Sequence, residues 1–327
     1  MVKHFAFAVP GDLATPTGGY AYDRRMMAEL GDLGWRIDLL DLGEGFPWPS
    51  QAARETARTR LLAIPTGRAV VVDGLALGVL PEAASQLSGH NPLLALVHHP
   101  LALEAGLSIE QADALRASER AALAAVQGVV VTSAATARLV AADYGVSAGR
   151  ITVARPGSDP APLAQGSQDG IVRLLSVGAV VPRKGFDVLI AALATLPDLP
   201  WQLTIAGDRT RDRHAAARLD ADIARHALDN RVAALGAVSP QRLAALYTGA
   251  DVFVLASHFE GYGMAYAEAI AHGLPVIGTG GGAIPDTVPP EAGLLVAPGD
   301  IHALAHALRR VIGDAALRRH LAGAARA

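Results

Sequence analysis

The stretch from Asp251 to Val288, DVFVLASHFEGYGMAYAEAIAHGLPVIGTGGGAIPDTV, leaves few folds open to this chain. Val252 to Ala256 is apolar and β-branched enough for a buried strand. A polar loop punctuated by glycine follows, Ser257 to Gly263. An alanine-rich run from Met264 to about His272 predicts a helix, which Gly273 caps and Pro275 stops. Pro275 to Ile277 predicts a second strand, and Gly278 to Gly282 a second glycine loop. Strand, glycine loop, helix, strand and glycine loop make half of a doubly wound nucleotide-binding domain.

Glu260 and Glu268 stand in this unit with seven residues between them. Glu260 falls in the loop; Glu268 falls one turn into the helix, on the face of Met264. The amides of Gly261, Gly263 and Met264 are expected at the helix N-terminus, which favours anions, and the glycines let a ligand approach the backbone. Two carboxylates beside a phosphate would repel it, so both make better sense as acceptors from hydroxyl groups. The plainer reading is a pair of solvated surface glutamates. The agreement of loop glycines, strands and second glycine loop weighs against it.

Composition bounds the rest. The 327 residues suffice for two domains, and 51% are hydrophobic, enough for sizeable cores. A net charge of −3 argues against a general nucleic-acid binder. With no cysteine, disulfides and thiolate metal sites are excluded. The N-terminus lacks the long apolar segment of a signal peptide, and no run of about 20 apolar residues suggests a membrane span. The expected location is cytoplasmic. A peripheral contact at the inner face of a membrane is left open, though no basic amphipathic helix argues for it.

Along the chain, strands are predicted at Val2–Val9, Trp35–Leu40, Ala69–Asp73, Leu93–Val97, Gly128–Thr132 and Ile151–Ala154. Helices are predicted near 20–33, 50–62, 109–127 and 133–144. Such alternation indicates a mainly parallel sheet. Gly18 and Gly19 follow the first strand at a helix start, a weak phosphate or sugar signal. His98 and His99 stand beyond the fourth strand, where an open parallel sheet places its ligands; two ordinary loop histidines are the competing reading. Residues 154–170, ARPGSDPAPLAQGSQDG, read as an interdomain linker. The plan then repeats, with strands at Ile171–Val177, Trp201–Ala206, Val232–Leu235 and Gly293–Val296. Helices are predicted from Phe186, at Gln241–Thr248 and within Ile301–Ala325. Residues 208–228 read as a solvated charged helix. Lysine occurs only at Lys3 and Lys184, against 26 arginines, which makes Lys184 informative. Arg183 and Lys184 precede Gly185 and a helix start, where two cations can neutralise a diphosphate.

The segment FEGYGMAYAEAIAHGLPVIGTGGGAIPDTV resembles the donor-site signature of retaining glycosyltransferase family 4. The resemblance is clear over residues 171–320 and thinner over 1–160. It implies a GT-B fold, α/β, with two Rossmann-like doubly wound domains facing a cleft. Residues 1–160 would bind the acceptor and 161–327 the nucleotide-sugar donor. It implies that Glu260 lies at the donor sugar and Glu268 at the nucleotide ribose. Lys184 matches the family's diphosphate lysine, while Ala179 stands where an arginine is expected, so the clamp is incomplete unless Arg183 substitutes. His98 matches a histidine beside the reacting sugar better than His99 does. The turn at Gly236 is expected near the nucleobase, and Glu104 weakly on the acceptor side. Pro156, Gly157 and Asp159 match the family's linker pattern, and Asp286 replaces its usual glutamate. The helix that crosses back onto the first domain is expected to be short or missing.

The implied catalytic residues are therefore His98, Lys184 and Glu260. The implied donor-binding residues are Gly18, Gly19, Arg183, Lys184, Gly236, Glu260, Gly261, Tyr262, Gly263, Met264 and Glu268. The expected reaction moves a sugar, with retention, from a GDP- or UDP-sugar to a glycan, lipid or small-molecule acceptor. No cofactor or metal is expected, because no acidic D-x-D-type pair stands in a predicted donor loop. The rivals are an epimerase or phosphorylase of the same fold, and a non-catalytic nucleotide-sugar-binding or scaffolding protein. Neither the donor's base and sugar nor the oligomeric state is readable.

Overall fold

The structure, a computed structural model, describes residues 3–326. Val2, where the first predicted strand begins, lies outside the described residues. The chain divides into two compact units, one up to Pro156 and one from Gly157 on.

Unit 1 is built on six strands: β1 (His4–Val9), β2 (Arg36–Asp41), β3 (Ala69–Asp73), β4 (Leu93–Val97), β5 (Gly128–Val131) and β6 (Ile151–Val153). Their order is β2-β1-β3-β4-β5-β6, and every pairing is parallel. The period-2 alternation of a strand divides β1 between two cores. Phe5, Phe7 and Val9 pack on one face with Tyr22 and Leu96. Ala6 and Ala8 pack on the other with Val70, Val72, Ala95 and Val97. Both faces of β1 are covered, which is why it reads as a continuous apolar run.

Unit 2 repeats the plan with β7 (Val172–Val177), β8 (Trp201–Ala206), β9 (Val232–Gly236), β10 (Val252–Val254), β11 (Val276–Thr279) and β12 (Gly293–Val296). Their order is β12-β11-β10-β7-β8-β9, again all parallel. The order reverses between β7 and β10, and a doubly wound sheet binds ligands in the crevice at such a point. In unit 1 the reversal falls between β1 and β3. Trp201, Phe253, Tyr247 and Tyr266 anchor the core of unit 2.

Helix starts follow side-chain chemistry. Ser50, Ser133 and Ser239 each accept a backbone N–H three residues on, and helices 51–62, 134–144 and 240–249 begin directly after them. The sequence reading missed helices Gly74–Leu77, Pro81–Ser88 and Ile284–Thr287. All three are at most eight residues, too short to show a hydrophobic period. The charged piece 208–228 is corrected: helix Arg213–Arg225 buries Ala215, Ala216, Leu219 and Ile223, so only one side of it is solvated. Arginines and aspartates on the outer face masked that apolar stripe. Helix Ala315–Ala325 packs Leu321 into the unit 2 core. Among the described residues, no helix is long and apolar enough to cross a membrane.

Candidate functional site

In unit 2 the loops after β7, β10 and β11 meet at the reversal point. Gly185 ends the short turn Pro182–Lys184 with φ +63°, in the left-handed region. A Cβ there would lie 2.1 Å from the Ala256 carbonyl oxygen, so only glycine lets the β7 loop come this close to the end of β10. The His258 amide then donates to the Arg183 carbonyl at 2.8 Å, tying the two loops. The Ala283 amide donates to the Glu260 carbonyl, also at 2.8 Å, and Glu260 forms a parallel bridge with Gly282.

This lacing buries Glu260 to 7% exposure. Lys184 Nζ lies 2.6 Å from its Oε1 and Arg183 Nη1 lies 3.2 Å from its Oε2. Ser257 Oγ donates to Oε1 at 2.7 Å. Burial alone would raise the carboxyl pKa. Lys184 and Arg183 overcome it and hold Glu260 down at about 2. Two cations on one carboxylate leave a net positive site, which suits a diphosphate. Arg183 also donates to the Phe259 carbonyl at 2.8 Å, so it belongs to this cluster even though Ala179 offers no guanidinium.

Gly263, with φ +95°, opens helix Met264–Ala271, and no side chain caps that terminus. Gly261 and Gly263 are buried, Tyr262 and Met264 half-buried. Glu268 sits on this helix and takes a different partner: Tyr247 Oη donates to its Oε2 at 2.8 Å. Burial raises the Glu268 pKa, with Tyr247, His272 and Lys184 pulling the other way. Lys184 is thus close enough to act on both glutamates. Gly236 ends β9 with φ +75°, and its carbonyl accepts from the Gly207 amide at 2.9 Å. Asp286 is exposed on the turn Ile284–Thr287.

Unit 1 carries the remaining expected residues beyond the carboxyl ends of β1 and β4, and Asp73 joins them from the end of β3. Thr17 caps helix Gly18–Asp32 by accepting from the Tyr20 amide. Gly19 has a packing reason: a Cβ there would lie 3.3 Å from His98 Cδ2. His98 Nε2 is 2.9 Å from Asp23 Oδ1 and 3.8 Å from Asp73 Oδ2. The Tyr22 ring meets the His98 ring edge-on with centroids 5.4 Å apart. Burial lowers the His98 pKa, but Asp23 and Asp73 outweigh it and the net shift is upward. Burial also pushes Asp73 up to about 7, offset in part by His98. His99 Nε2 is 3.9 Å from Glu104 Oε2. Among the described residues, Asp23, Asp73 and His98 are the one trio of histidine and carboxylate groups whose ligand atoms all lie within 4.8 Å.

Four polar residues escaped the sequence reading. Asp73 ends a predicted strand and Ser257 begins a predicted loop, positions that could have marked them. Asp23 and Tyr247 lie inside ordinary-looking helices and give no local signal.

A D-inositol 3-phosphate glycosyltransferase of Pseudarthrobacter chlorophenolicus is 35% identical over 163 residues, 45% of this chain and 38% of that protein. A GDP-mannose-dependent monoacylated alpha-(1-6)-phosphatidylinositol monomannoside mannosyltransferase of Corynebacterium glutamicum is 34% identical over 196 residues, 56% of this chain and 49% of that protein. The matched stretches thus span less than half of either relative. The sucrose-phosphate synthase structure from Thermosynechococcus elongatus superposes with a TM-score of 0.80 at 24% identity, covering 98% of this chain and 93% of that one. The fold is therefore GT-B. The family model described as "Glycosyl transferases group 1" matches residues 164–327, half of the chain and the whole donor-candidate loop system, and the chain belongs to that family.

Proposed function

We propose that this protein is a retaining glycosyltransferase that takes its sugar from a nucleoside-diphosphate sugar. The observation that carries the reading is the buried Glu260 carboxylate held by Lys184 and Arg183 where the unit 2 sheet reverses its strand order. Before the donor arrives, Glu260 keeps the two cations fixed in place. A diphosphate then meets a preorganised positive site beside an uncapped helix N-terminus at Met264. Charge developing on the leaving diphosphate is stabilised by Lys184, Arg183 and that terminus without reorganisation. Glu260 accepts from a sugar hydroxyl and Glu268 from the ribose, with Gly236 near the base. Unit 1 binds the acceptor, a glycan, a lipid-linked sugar or a small molecule. The GDP-mannose dependence of one relative favours a guanine nucleotide; a uracil nucleotide stays the alternative.

The reading is tested by thermal unfolding against nucleoside diphosphates and their sugars. A ligand at 100 times its Kd stabilises the native state by about 2.7 kcal/mol, a readable shift. The expected outcome is a selective shift with GDP or UDP and its loss in Lys184→Ala. No shift with any nucleotide would remove the donor site. We further propose that turnover is metal-independent: activity in excess chelator should equal the control, and a loss restored by magnesium would refute this.

A further inference from the structure

Unit 1 holds a cluster that the donor reading leaves unexplained. Asp23 is fully buried in the middle of helix 18–32, and Asp73 is 2% exposed at the end of β3. Two carboxylates so close cannot both carry charge in a dry site at moderate cost. Among the described residues, no lysine or arginine pairs with either, and His98 is the one group able to supply positive charge. Asp73 Oδ1 accepts from the Leu75 amide at 2.7 Å. Asp23 Oδ1 faces His98, but the buried Asp23 Oδ2 has no hydrogen-bond partner. An orphaned buried carboxylate oxygen is costly, and the group beside it that can bring a proton is the Asp73 carboxyl.

We propose that Asp73 is protonated and donates to Asp23, that Asp23 stays a carboxylate, and that Asp23 holds His98 as an imidazolium with Nε2–H turned inward. The three groups then share two protons and carry no net charge. The groups facing His98 are Tyr22 and Asp23 from helix 18–32 and Asp73 from β3; on its own loop His99 follows, with Glu104 beyond it. With Nε2 committed to Asp23, Nδ1 is the nitrogen left to a ligand, and in the imidazolium it is a donor. His98 therefore cannot take a proton from an acceptor hydroxyl. It recognises an oxygen of a bound sugar or phosphate by donating to it. Asp23 and Asp73 are positioning residues that act through His98. Only the identity of that oxygen rests on the transferase reading; the protonation pattern does not.

The test is nitrogen-15 NMR of the histidine rings in chelator-treated full-length protein at about pH 7, with the His98 signals assigned by loss in His98→Gln. An asparagine at 73 keeps both the Leu75 cap and a donor toward Asp23, so it mimics the protonated acid. An asparagine at 23 removes the charge that holds the ring's proton. The expected result is a doubly protonated His98 ring in the native protein and in Asp73→Asn, and a neutral ring in Asp23→Asn, its pKa lowered by more than about 1 unit. A neutral His98 in the native protein would overturn the proposal. So would equal loss of the ring proton in both variants, the result expected if both carboxylates carried charge and held the ring alike. If Asp23→Asn does not fold, the native protein and Asp73→Asn still decide. No outcome depends on transferase turnover, so a failed activity assay and a failed protonation pattern are distinguishable.

Discussion

The two buried charge clusters solve the same problem with opposite chemistry. In unit 2, one carboxylate, Glu260, meets two permanent cations, and its pKa falls to about 2. In unit 1, two carboxylates, Asp23 and Asp73, meet one titratable histidine, and Asp73 rises to about 7. Burial pushes both carboxyls the same way; the number and kind of nearby cations decide the outcome. The unit 2 cluster is a fixed positive site across the neutral range. The unit 1 cluster is neutral and titratable. Fixed positive charge suits a diphosphate, and a neutral proton-sharing cluster suits a hydroxyl-rich ligand.

The largest expected effect comes from removing the cation that dominates unit 2. Lys184→Ala strands a buried carboxylate, and breaking such a pair costs about 3–5 kcal/mol. Arg183 remains 3.2 Å from Oε2, so the loss should fall at the low end of that range. Turnover should drop roughly 100- to 1000-fold. Adding Glu260→Gln should return most of the stability and none of the turnover, measured by urea unfolding and donor consumption. If the double variant is no more stable than the single one, the ion pair is not what the burial of Glu260 depends on.

Next comes opposite pH dependence. A carboxyl lowered from 4.5 to about 2 contributes about 3 kcal/mol, fully present above its unfolded pKa and lost as pH falls toward about 2. Asp73 is raised instead, from 3.8 to about 7. Its contribution is fully present below its unfolded pKa and lost as pH rises through about 7. His98, also raised, adds loss in the same direction. Glu268 is raised too and offsets part of the acid limb in unit 2. Urea midpoints from about pH 3 to about pH 8 should therefore show a flattened acid limb in Glu260→Gln and a flattened neutral limb in Asp73→Asn. Identical profiles for the two variants would erase the contrast.

The smallest expected effect sharpens the geometry of unit 1. Gly19→Ala puts a methyl group 3.3 Å from His98 Cδ2, so the ring must give by a few tenths of an ångström. The helix gains up to about 1 kcal/mol from the lost glycine freedom. Stability should therefore hold or rise while turnover falls roughly 10-fold. Unchanged turnover would mean that the position of His98 is not critical.

Much of this was legible in the sequence because the signals are local. Apolar runs marked all twelve strands within about two residues. Glycines at 185 and 263 stand where the backbone takes left-handed conformations, in loops whose glycines the sequence singles out. E-x7-E and Lys184 pointed to one loop system, and the chain does bring Lys184 and Glu260 to 2.6 Å. Arg183 was legible as a cation but not as a second partner of Glu260, because that contact joins residues 77 positions apart in different loops.

What the sequence alone determined is the plan: two doubly wound sheets, their loops, and which loops carry charge. Those properties follow from strand and helix periodicity and from backbone chemistry within a few residues. Tertiary structure alone decided which charges meet. Asp23 comes from a helix, Asp73 from the end of one strand and His98 from the end of another, 50 and 25 residues apart in turn. Nothing within a few residues of Asp23 sets it apart from a solvated helix aspartate. Its chemistry exists only because β1, β3 and β4 pack side by side and leave its carboxylate in a dry space with one histidine.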